Sequence, residues 1–320
     1  MKMQEMVAEL ASEVETILDP SFKIDVTKTQ SVPHSSDAGI TFPNLDTNRQ
    51  GTKLLSSCVL YIDIRRSTEL NLAHKPQTVS KLYSAFVRAM TRCARHHHGH
   101  VRGIIGDRVM VVFDVENSFK NAVDCAISMN SAAQYVLNRH FKSGEILCGI
   151  GIDSGNMLVT KTGIRRRGVE QAAYRNLVWL GRPANVASKL TDLANKPGKT
   201  VDIPAVSTGT SRTGLGDWSW KTDTAGEFIK RLQPNPGQPF LHDPTPDLRA
   251  YVVTTTTVVL EPKTPAILMT EAVWSGFKAA APNAPEVTNG WIGPVEGLSV
   301  AGYSGTVFGG DVIYKQFRDR

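Results

Sequence analysis

Apolar and polar residues recur along the chain with two different periods. Residues 2–18 carry apolar side chains at helical spacing with Glu and Lys on the other face, which predicts a helix that needs a partner surface in a dimer or docking contact. Residues 27–52 are rich in Ser, Thr, Asn, Asp and Pro, which predicts a connector with little regular structure. From Leu54 the pattern changes, and the β-branched, apolar run SCVLYIDI predicts a buried strand.

Helical and strand-like segments then follow each other. Helical spacing over about 76–98 predicts a helix, and the runs VRGII and RVMVVF, separated only by Gly106 and Asp107, predict a tight hairpin. Residues 118–141 predict a second helix, EILCGIGID a strand, and GRPANVASKLTDLAN a helix whose first turn contains Pro183. The order β, α, β, β, α, β predicts an α+β fold with a ferredoxin-like core.

The segment 196–264 differs in character from the rest of the chain. It is rich in Pro and Gly and contains the run TTTT, so we interpret it as a long insertion with short strands of its own. The tail, with PAILMTEAVWSGFKAA and TVFGGDVIYKQF, returns to strand and helix patterns and predicts extra C-terminal strands. We therefore divide the chain into an N-terminal helix and connector, residues 1–53, and one domain, residues 54–317, that contains the insertion.

Composition limits the class of protein, its cellular location and its partners. The chain of 320 residues is 41% hydrophobic, as in ordinary globular proteins, and no apolar stretch approaches the roughly 18–20 residues that span a bilayer. The N-terminus carries acids throughout, unlike a secretion signal, so we expect a cytoplasmic protein without a membrane partner. Four cysteines occur singly, which excludes a CxxC zinc site. The net charge of +6 is spread among interleaved acids and bases without a nucleic-acid motif, so no nucleic-acid partner is expected.

Two aspartates are the candidate metal ligands. Asp63 ends a predicted strand, and Asp107 lies in the predicted hairpin turn, so each carboxylate can lie at one edge of the same sheet. Paired carboxylates are ligands that suit Mg²⁺ or Mn²⁺, and such ions bridge the oxygens of a triphosphate. The pattern therefore predicts a divalent-metal site rather than two structural acids.

The motifs around these aspartates resemble those of the class III adenylate and guanylate cyclases. VLYIDIRRSTEL is similar to the first metal motif of that family, IIGDRVMVVF to its second, and WLGRPANVASKL to its transition-state helix. CGIGIDSGNM and PAILMTEAVWSGF are similar to its central strand and to its late strand and helix. The resemblance covers about residues 54–195 and 264–317, and it implies a nucleotidyl cyclase whose catalytic domain is residues 54–317.

The resemblance also implies roles for individual residues. Asp63 and Asp107 would bind two divalent cations, Mn²⁺ or Mg²⁺, with the Ile64 carbonyl as a further ligand. The turn that follows would offer backbone N–H groups to the β- and γ-phosphates, from Arg65, Arg66, Ser67 and Thr68. Asn185 would orient the ribose, and Lys189 stands where the family has the Arg that stabilises the phosphorane. Because the family builds each site from two subunits, a homodimer with shared active sites is implied.

The positions that select the base differ from those of purine cyclases. Gly103 stands where adenylate cyclases have Lys and guanylate cyclases Glu, and Val178 stands where adenylate cyclases have Asp. In this departure the chain resembles the pyrimidine cyclases of the Pycsar anti-phage systems, which make cyclic UMP or cyclic CMP and thereby activate a toxic effector. The resemblance favours UTP as substrate and leaves CTP, a purine nucleotide, or a catalytically silent sensing or docking module as alternatives. Candidates for the base pocket are Tyr61, Arg102 and Trp179.

Overall fold

The computed structural model describes residues 2–141, 146–163, 177–244 and 247–319. By its internal contacts the chain divides into a larger unit, Met1–Lys196 with Thr264–Arg320, and a smaller unit, Pro197–Lys263. The basic run 165–167, whose sequence is equally compatible with a phosphate contact and with a solvated surface, lies outside the described residues.

Both units are built from the following elements. The strands of the described residues are β1 (Lys23–Thr29), β2 (Arg49–Ile64), β3 (Gly99–Ile105), β4 (Arg108–Phe113), β5 (Cys148–Lys161), β6 (Leu177–Leu180), β7 (Lys199–Ser211), β8 (Ser219–Thr224), β9 (Gln233–Pro234), β10 (Leu241–His242), β11 (Leu248–Glu261), β12 (Ile267–Thr270), β13 (Gly293–Pro294) and β14 (Val307–Gly310). The helices are α1 (Met3–Leu18), α2 (Ser67–Ala73), α3 (Pro76–His96), α4 (Ser118–Ala132), α5 (Arg182–Leu193), α6 (Ala225–Arg231), α7 (Glu271–Ala280), α8 (Pro285–Thr288) and α9 (Lys315–Arg318). Helix α4 continues into a π-turn and a short 3₁₀ turn.

The larger unit contains one sheet with the strand order β13-β14-β12-β5-β2-β4-β3, and β1 and β6 pair with β2 and β5 at the side of this path. The segment β5-β2-β4-β3 has the strand order of a ferredoxin-like fold, and helices α3 and α4 provide the two crossovers. The predicted fold class is confirmed. Strands β12, β13 and β14 extend the sheet beyond β5, as the tail of the sequence predicted.

The prediction for residues 27–52 is wrong in part. Strand β1 continues to Thr29 and pairs in parallel with the first half of β2, which already begins at Arg49. All residues of β1 are exposed or half-buried, so the alternation of Ile24 and Val26 with polar residues does not reflect a buried face. Backbone pairing with β2, rather than burial of side chains, therefore explains why this segment is extended.

The two faces of β2 contact different helices. Because side chains alternate along a strand, Cys58, Leu60 and Ile62 point into the large core that α3, α4 and α7 cover. Leu55 and Val59 lie on the opposite face and pack with residues of α5. The same alternation places Asp63, four residues after Val59, on the α5 face of the sheet. The fold therefore orients this carboxylate away from the large core.

Helix α5 packs on β5 with almost no space between the two backbones. A Cβ atom at Gly151 would lie 2.7 Å from the Thr191 hydroxyl and closer still to the Ala187 carbonyl oxygen and the Thr191 amide. The backbone of α5 cannot move away without opening the core around Leu190. Close approach of this helix to the sheet therefore requires glycine in β5.

We expect Gly151→Ala to lower the free energy of unfolding by about 2–3 kcal/mol, because the added methyl group overpacks this contact. Gly103→Ala is the matched control, since its Cβ would lie 3.5 Å from the Met110 Cβ, an ordinary contact distance. Chemical denaturation of both variants measures the difference. Equal stability of the two variants would contradict the close packing of α5 on β5.

Helix α1 has no buried residue although it is amphipathic. Its apolar side chains are exposed along one side, among them Val7, Leu10 and Val14. This agrees with the sequence pattern, which indicated a helix in need of a partner surface. None of the described helices is long and apolar enough to cross a membrane.

The smaller unit is a three-stranded antiparallel sheet with the order β11-β7-β8, and helix α6 contacts β7 and β8. Arg231, at the end of α6, forms ion pairs with Asp223 and Asp243 and thereby connects the helix to the sheet. In the larger unit, the residues on either side of the insertion are joined directly. The Lys196 amide donates to the Thr264 hydroxyl at 2.9 Å, and the Thr264 amide donates to the Lys196 carbonyl at 3.1 Å.

Candidate active site

The hairpin between β3 and β4 positions Asp107 beside Asp63. Ile105 pairs with Arg108 across a two-residue turn, and Gly106 adopts a left-handed φ of 62° there, which suits glycine. This confirms the predicted hairpin. Asp63 is the next-to-last residue of β2, which pairs with β4, and the two carboxyl groups are close enough to interact by a hydrogen bond. Ile64, the predicted carbonyl ligand, follows Asp63 and ends the strand opposite Cys148.

The acid pair is electrostatically strained. Burial and the neighbouring Asp63 carboxylate raise the pKa of Asp107, and a hydrogen bond with Ser67 opposes this shift. One oxygen of Asp107, Oδ2, is buried without a hydrogen-bond partner in the described part of the chain. A buried, unpaired carboxylate oxygen next to a second carboxylate is an arrangement that a hard cation would neutralise.

The turn after β2 leads directly into α2. Arg66 has a left-handed φ of 57°, and the helix begins with Ser67 and Thr68, whose amides are among the first N–H groups of that helix. The Arg65 amide does not fit the role implied for it, because it donates to the Leu147 carbonyl at 2.7 Å. Arg66, Ser67 and Thr68 therefore remain the candidates for the predicted phosphate-binding turn.

Asn185 and Lys189 lie one turn apart on α5, and both are exposed. The Lys189 Nζ donates to the Ala301 carbonyl at 2.8 Å, so the ammonium group is directed at the loop before β14. The guanidinium of Arg65 donates to the carbonyls of Thr191 and Asp192. These carbonyls lie at the C-terminal end of α5, where the helix itself provides no donor for them. Arg65 therefore fixes the end of α5 with its side chain.

The residues proposed to select the base surround a cavity of about 680 Å³ on the α5 face of the sheet. The lining residues predicted from sequence are Tyr61, Arg102, Gly103, Val178 and Trp179. Burial raises the pKa of Tyr61, so its hydroxyl stays protonated at neutral pH. The Nε1 of Trp179 is buried and has no hydrogen-bond partner in the described residues. Because Tyr61 and Asp63 are two residues apart on one strand face, the cavity adjoins the acid pair.

Arg102 lines this cavity, but its guanidinium is occupied elsewhere. It donates to the carbonyls of Pro33 at 2.8 Å, Val101 at 3.1 Å and Val32 at 3.4 Å. The side chain therefore anchors the segment that follows β1, which leaves it a poor candidate for reading a base. This segment contributes His34 and Ser35 to the cavity wall, two residues that sequence reasoning missed.

The sequence is similar to a family of catalytic domains and to individual enzymes. The adenylate and guanylate cyclase catalytic domain matches residues 52–208. A uridylate cyclase from Burkholderia cepacia is 32% identical over 187 residues, which cover 57% of this chain and 76% of the relative. A uridylate cyclase from Xanthomonas perforans is 31% identical over 179 residues, which cover 53% and 70% respectively. The chain belongs to the adenylate and guanylate cyclase family.

The predicted class III nucleotidyl cyclase is thereby confirmed. Among solved structures, the adenylyl cyclase CyaB from P. aeruginosa aligns with 80% of this cyclase and 94% of its own chain at 17% identity, with a TM-score of 0.47. Cyclases of this class depend on divalent metals and bind nucleoside triphosphates. The unpaired Oδ2 of Asp107 beside Asp63 provides ligands that fit such a metal in this cyclase.

One residue of this cyclase contacts the acid pair although no sequence motif assigned it a role. Arg108 donates to the Asp63 Oδ2 at 2.8 Å, so this carboxylate has a positively charged neighbour. The only sequence signal for it was its place directly after Asp107. Its other partners lie about 80 residues further along the chain, where no local pattern indicates them.

Proposed function

We propose that this cyclase converts UTP into 3′,5′-cyclic UMP and pyrophosphate. The observation that carries the proposal is the cavity beside the acid pair, whose lining includes Gly103 and Val178, the two residues that the family resemblance aligns with the purine-selecting side chains. Arg102 also lines this cavity, but its guanidinium is bonded to three backbone carbonyls. The uridylate cyclase relatives support the same substrate class.

The proposed chemistry uses the residues that meet at the sheet edge. Asp63 and Asp107, with the Ile64 carbonyl, would bind two divalent cations, which when bound lower the pKa of the ribose 3′-hydroxyl and neutralise the pyrophosphate. The amides of Arg66, Ser67 and Thr68 are proposed to bind the β- and γ-phosphates. The cavity residues Tyr61 and Trp179 would enclose the base.

Asn185 and Lys189 are proposed to act in the site of a second subunit. Both are exposed on α5, as a residue that reaches into another chain must be. Asn185 would orient the ribose, and the Lys189 ammonium would stabilise the charge that develops on the α-phosphate after leaving the Ala301 carbonyl. The active unit would then be a homodimer with two equivalent sites.

The proposed biological role is production of a second messenger. By analogy with the Pycsar pyrimidine cyclases, the cyclic nucleotide would activate a separate cell-killing effector during phage infection. The product alone would connect the two proteins, so no direct contact with the effector is required.

Incubating the purified protein with UTP, CTP, ATP or GTP and either Mn²⁺ or Mg²⁺ tests the substrate. We expect cyclic UMP as the main product, identified by chromatography and mass spectrometry, with the other three nucleotides at least about tenfold slower in kcat/KM. Preferential formation of cyclic CMP or a cyclic purine nucleotide would replace UTP as the substrate. No product from any nucleotide would favour a catalytically silent module.

A further inference from the structure

Arg108 bonds simultaneously to the acid pair and to α5. It begins β4, and its side chain lies on the α5 face, since the next residue, Val109, points into the large core. One terminal nitrogen, NH2, donates to the Asp63 Oδ2 at 2.8 Å and also to the Asp192 carboxylate. The other, NH1, donates to the Ser188 hydroxyl at 2.9 Å. A single guanidinium thus bridges a metal-site carboxylate and a helix.

The helix partners of Arg108 are part of the stripe that carries the proposed catalytic side chains. Asn185, Ser188 and Lys189 are three and four residues apart and therefore share one face of α5, and Asp192 continues this face by one turn. Ser188 is directly next to Lys189 in sequence. A shift of the guanidinium would therefore act on the same face of the helix that must reach the substrate.

We propose that Arg108 is a positioning residue that links cation binding at Asp63 to the placement of α5. The proposal rests on the proposed cyclase function of Asp63, Asn185 and Lys189. A divalent cation at Asp63 would compete for the carboxylate and would repel the guanidinium, since like charges a few ångströms apart in a half-buried site disfavour each other. With the metal site filled, Arg108 would bond to Asp192 and Ser188 alone and would thereby fix α5.

This link has a consequence in a dimer with shared sites. Asp63 would bind metal in one site, whereas the α5 of the same chain would contribute Asn185 to the other site. Arg108 would therefore transmit the state of one metal site, through the α5 of its own chain, to the second site of the dimer. A guanidinium suits this role because its planar fork bonds to several acceptors at once, which an ammonium group does not do.

Two substitutions distinguish the effect of the positive charge of Arg108 from the effect of its hydrogen bonds between Asp63 and α5. Electron paramagnetic resonance of the free ion measures Mn²⁺ binding in the absence of nucleotide. We expect Arg108→Gln to bind Mn²⁺ about tenfold more tightly than the wild type, because a competing positive charge is removed. Arg108→Lys keeps the charge and should bind Mn²⁺ like the wild type. Both variants should lose about tenfold or more in kcat, with KM for the nucleotide little changed, because α5 is misplaced. Arg88→Gln, on the exposed side of α3, is the matched control and should change neither quantity.

Ser188→Ala keeps the test valid if the Arg108 variants do not fold. It removes only the 2.9 Å bond to NH1, and alanine is the best helix former. We expect a severalfold lower kcat with unchanged Mn²⁺ affinity. Unchanged Mn²⁺ affinity in Arg108→Gln, or a raised KM with normal kcat, would overturn the proposal, the second result indicating phosphate binding. The Mn²⁺ measurement uses no substrate, so it tests the competition between Arg108 and the cation even if the enzyme does not act on UTP.

Discussion

Replacing Asp107 with asparagine is expected to reduce cyclase turnover by about 1000-fold or more while the protein stays folded. The amide has the shape of the carboxylate but lacks the charge that a divalent cation requires. No hydrogen bond to the Oδ2 is lost, because this oxygen is buried without a partner in the described residues. Product formation with saturating nucleotide and Mn²⁺, together with the thermal unfolding temperature, measures both parts of the prediction.

The difference in stability between this variant and the wild type should depend on pH in a defined direction. Burial and Asp63 raise the pKa of Asp107 above its usual value of 3.8, so its protonated form is the one favoured by the metal-free fold. The stability contributed by that form is present at low pH and is lost as the pH rises through the raised pKa. In buffer with a chelator, Asp107→Asn should therefore unfold at a higher temperature than the wild type at neutral pH, and the difference should shrink as the pH falls.

Asp46→Asn is the matched control, since Asp46 is exposed in the turn before β2. It should leave both activity and unfolding temperature unchanged. If Asp107→Asn retained more than about a tenth of the activity, the metal role of this residue would be wrong. An unfolded variant would indicate that the carboxylate is structural.

Mixing the Asp107→Asn and Asn185→Ala variants is expected to restore about one quarter of the wild-type activity, although each variant alone is nearly inactive. In a dimer with shared sites, one mixed dimer contains a site with both changes and a site with neither. Random exchange of subunits makes half of the dimers mixed, and half of their sites are intact. Activity measured as a function of the mixing ratio should be highest near equal amounts.

The control is a mixture of Asp63→Asn and Asp107→Asn. Both changes affect the acid pair of their own chain, so every site in every dimer is damaged and no activity should return. Exchange of subunits is verified by mass spectrometry of the intact dimers. Restored activity in this control, or none in the first mixture despite exchange, would contradict sites composed of residues from two chains.

The fold could be predicted wherever burial leaves a periodic pattern. Strand β2 alternates between two cores, and α3 buries one regular face with Leu82, Phe86 and Met90, so both were visible in the sequence. Strand β1 was missed because its two apolar residues, Ile24 and Val26, are too few to mark a strand, whereas its pairing with β2 makes it extended. Propensity and burial cannot indicate a strand whose stability comes from a distant partner.

The site was predictable as far as its motifs are local. Asp63 and Asp107 lie in short motifs at the ends of strands, and the structure brings their carboxyl groups together. Arg102 was a candidate for the base pocket, but its partners are backbone carbonyls, which carry no sequence signal. The bonds of Arg108 to α5 were equally invisible, because they join side chains that only the tertiary fold brings into contact.

The paired hydrogen bonds between Lys196 and Thr264 have a consequence for how such a chain can change over evolution. The chain leaves the larger unit and returns to it at the same place. The backbone of the larger unit therefore does not depend on the length of the insertion. Closing a longer excursion costs little additional entropy, since this cost grows only with the logarithm of length. Segments can therefore be inserted, replaced or deleted between Lys196 and Thr264 while the backbone of the larger unit keeps its conformation.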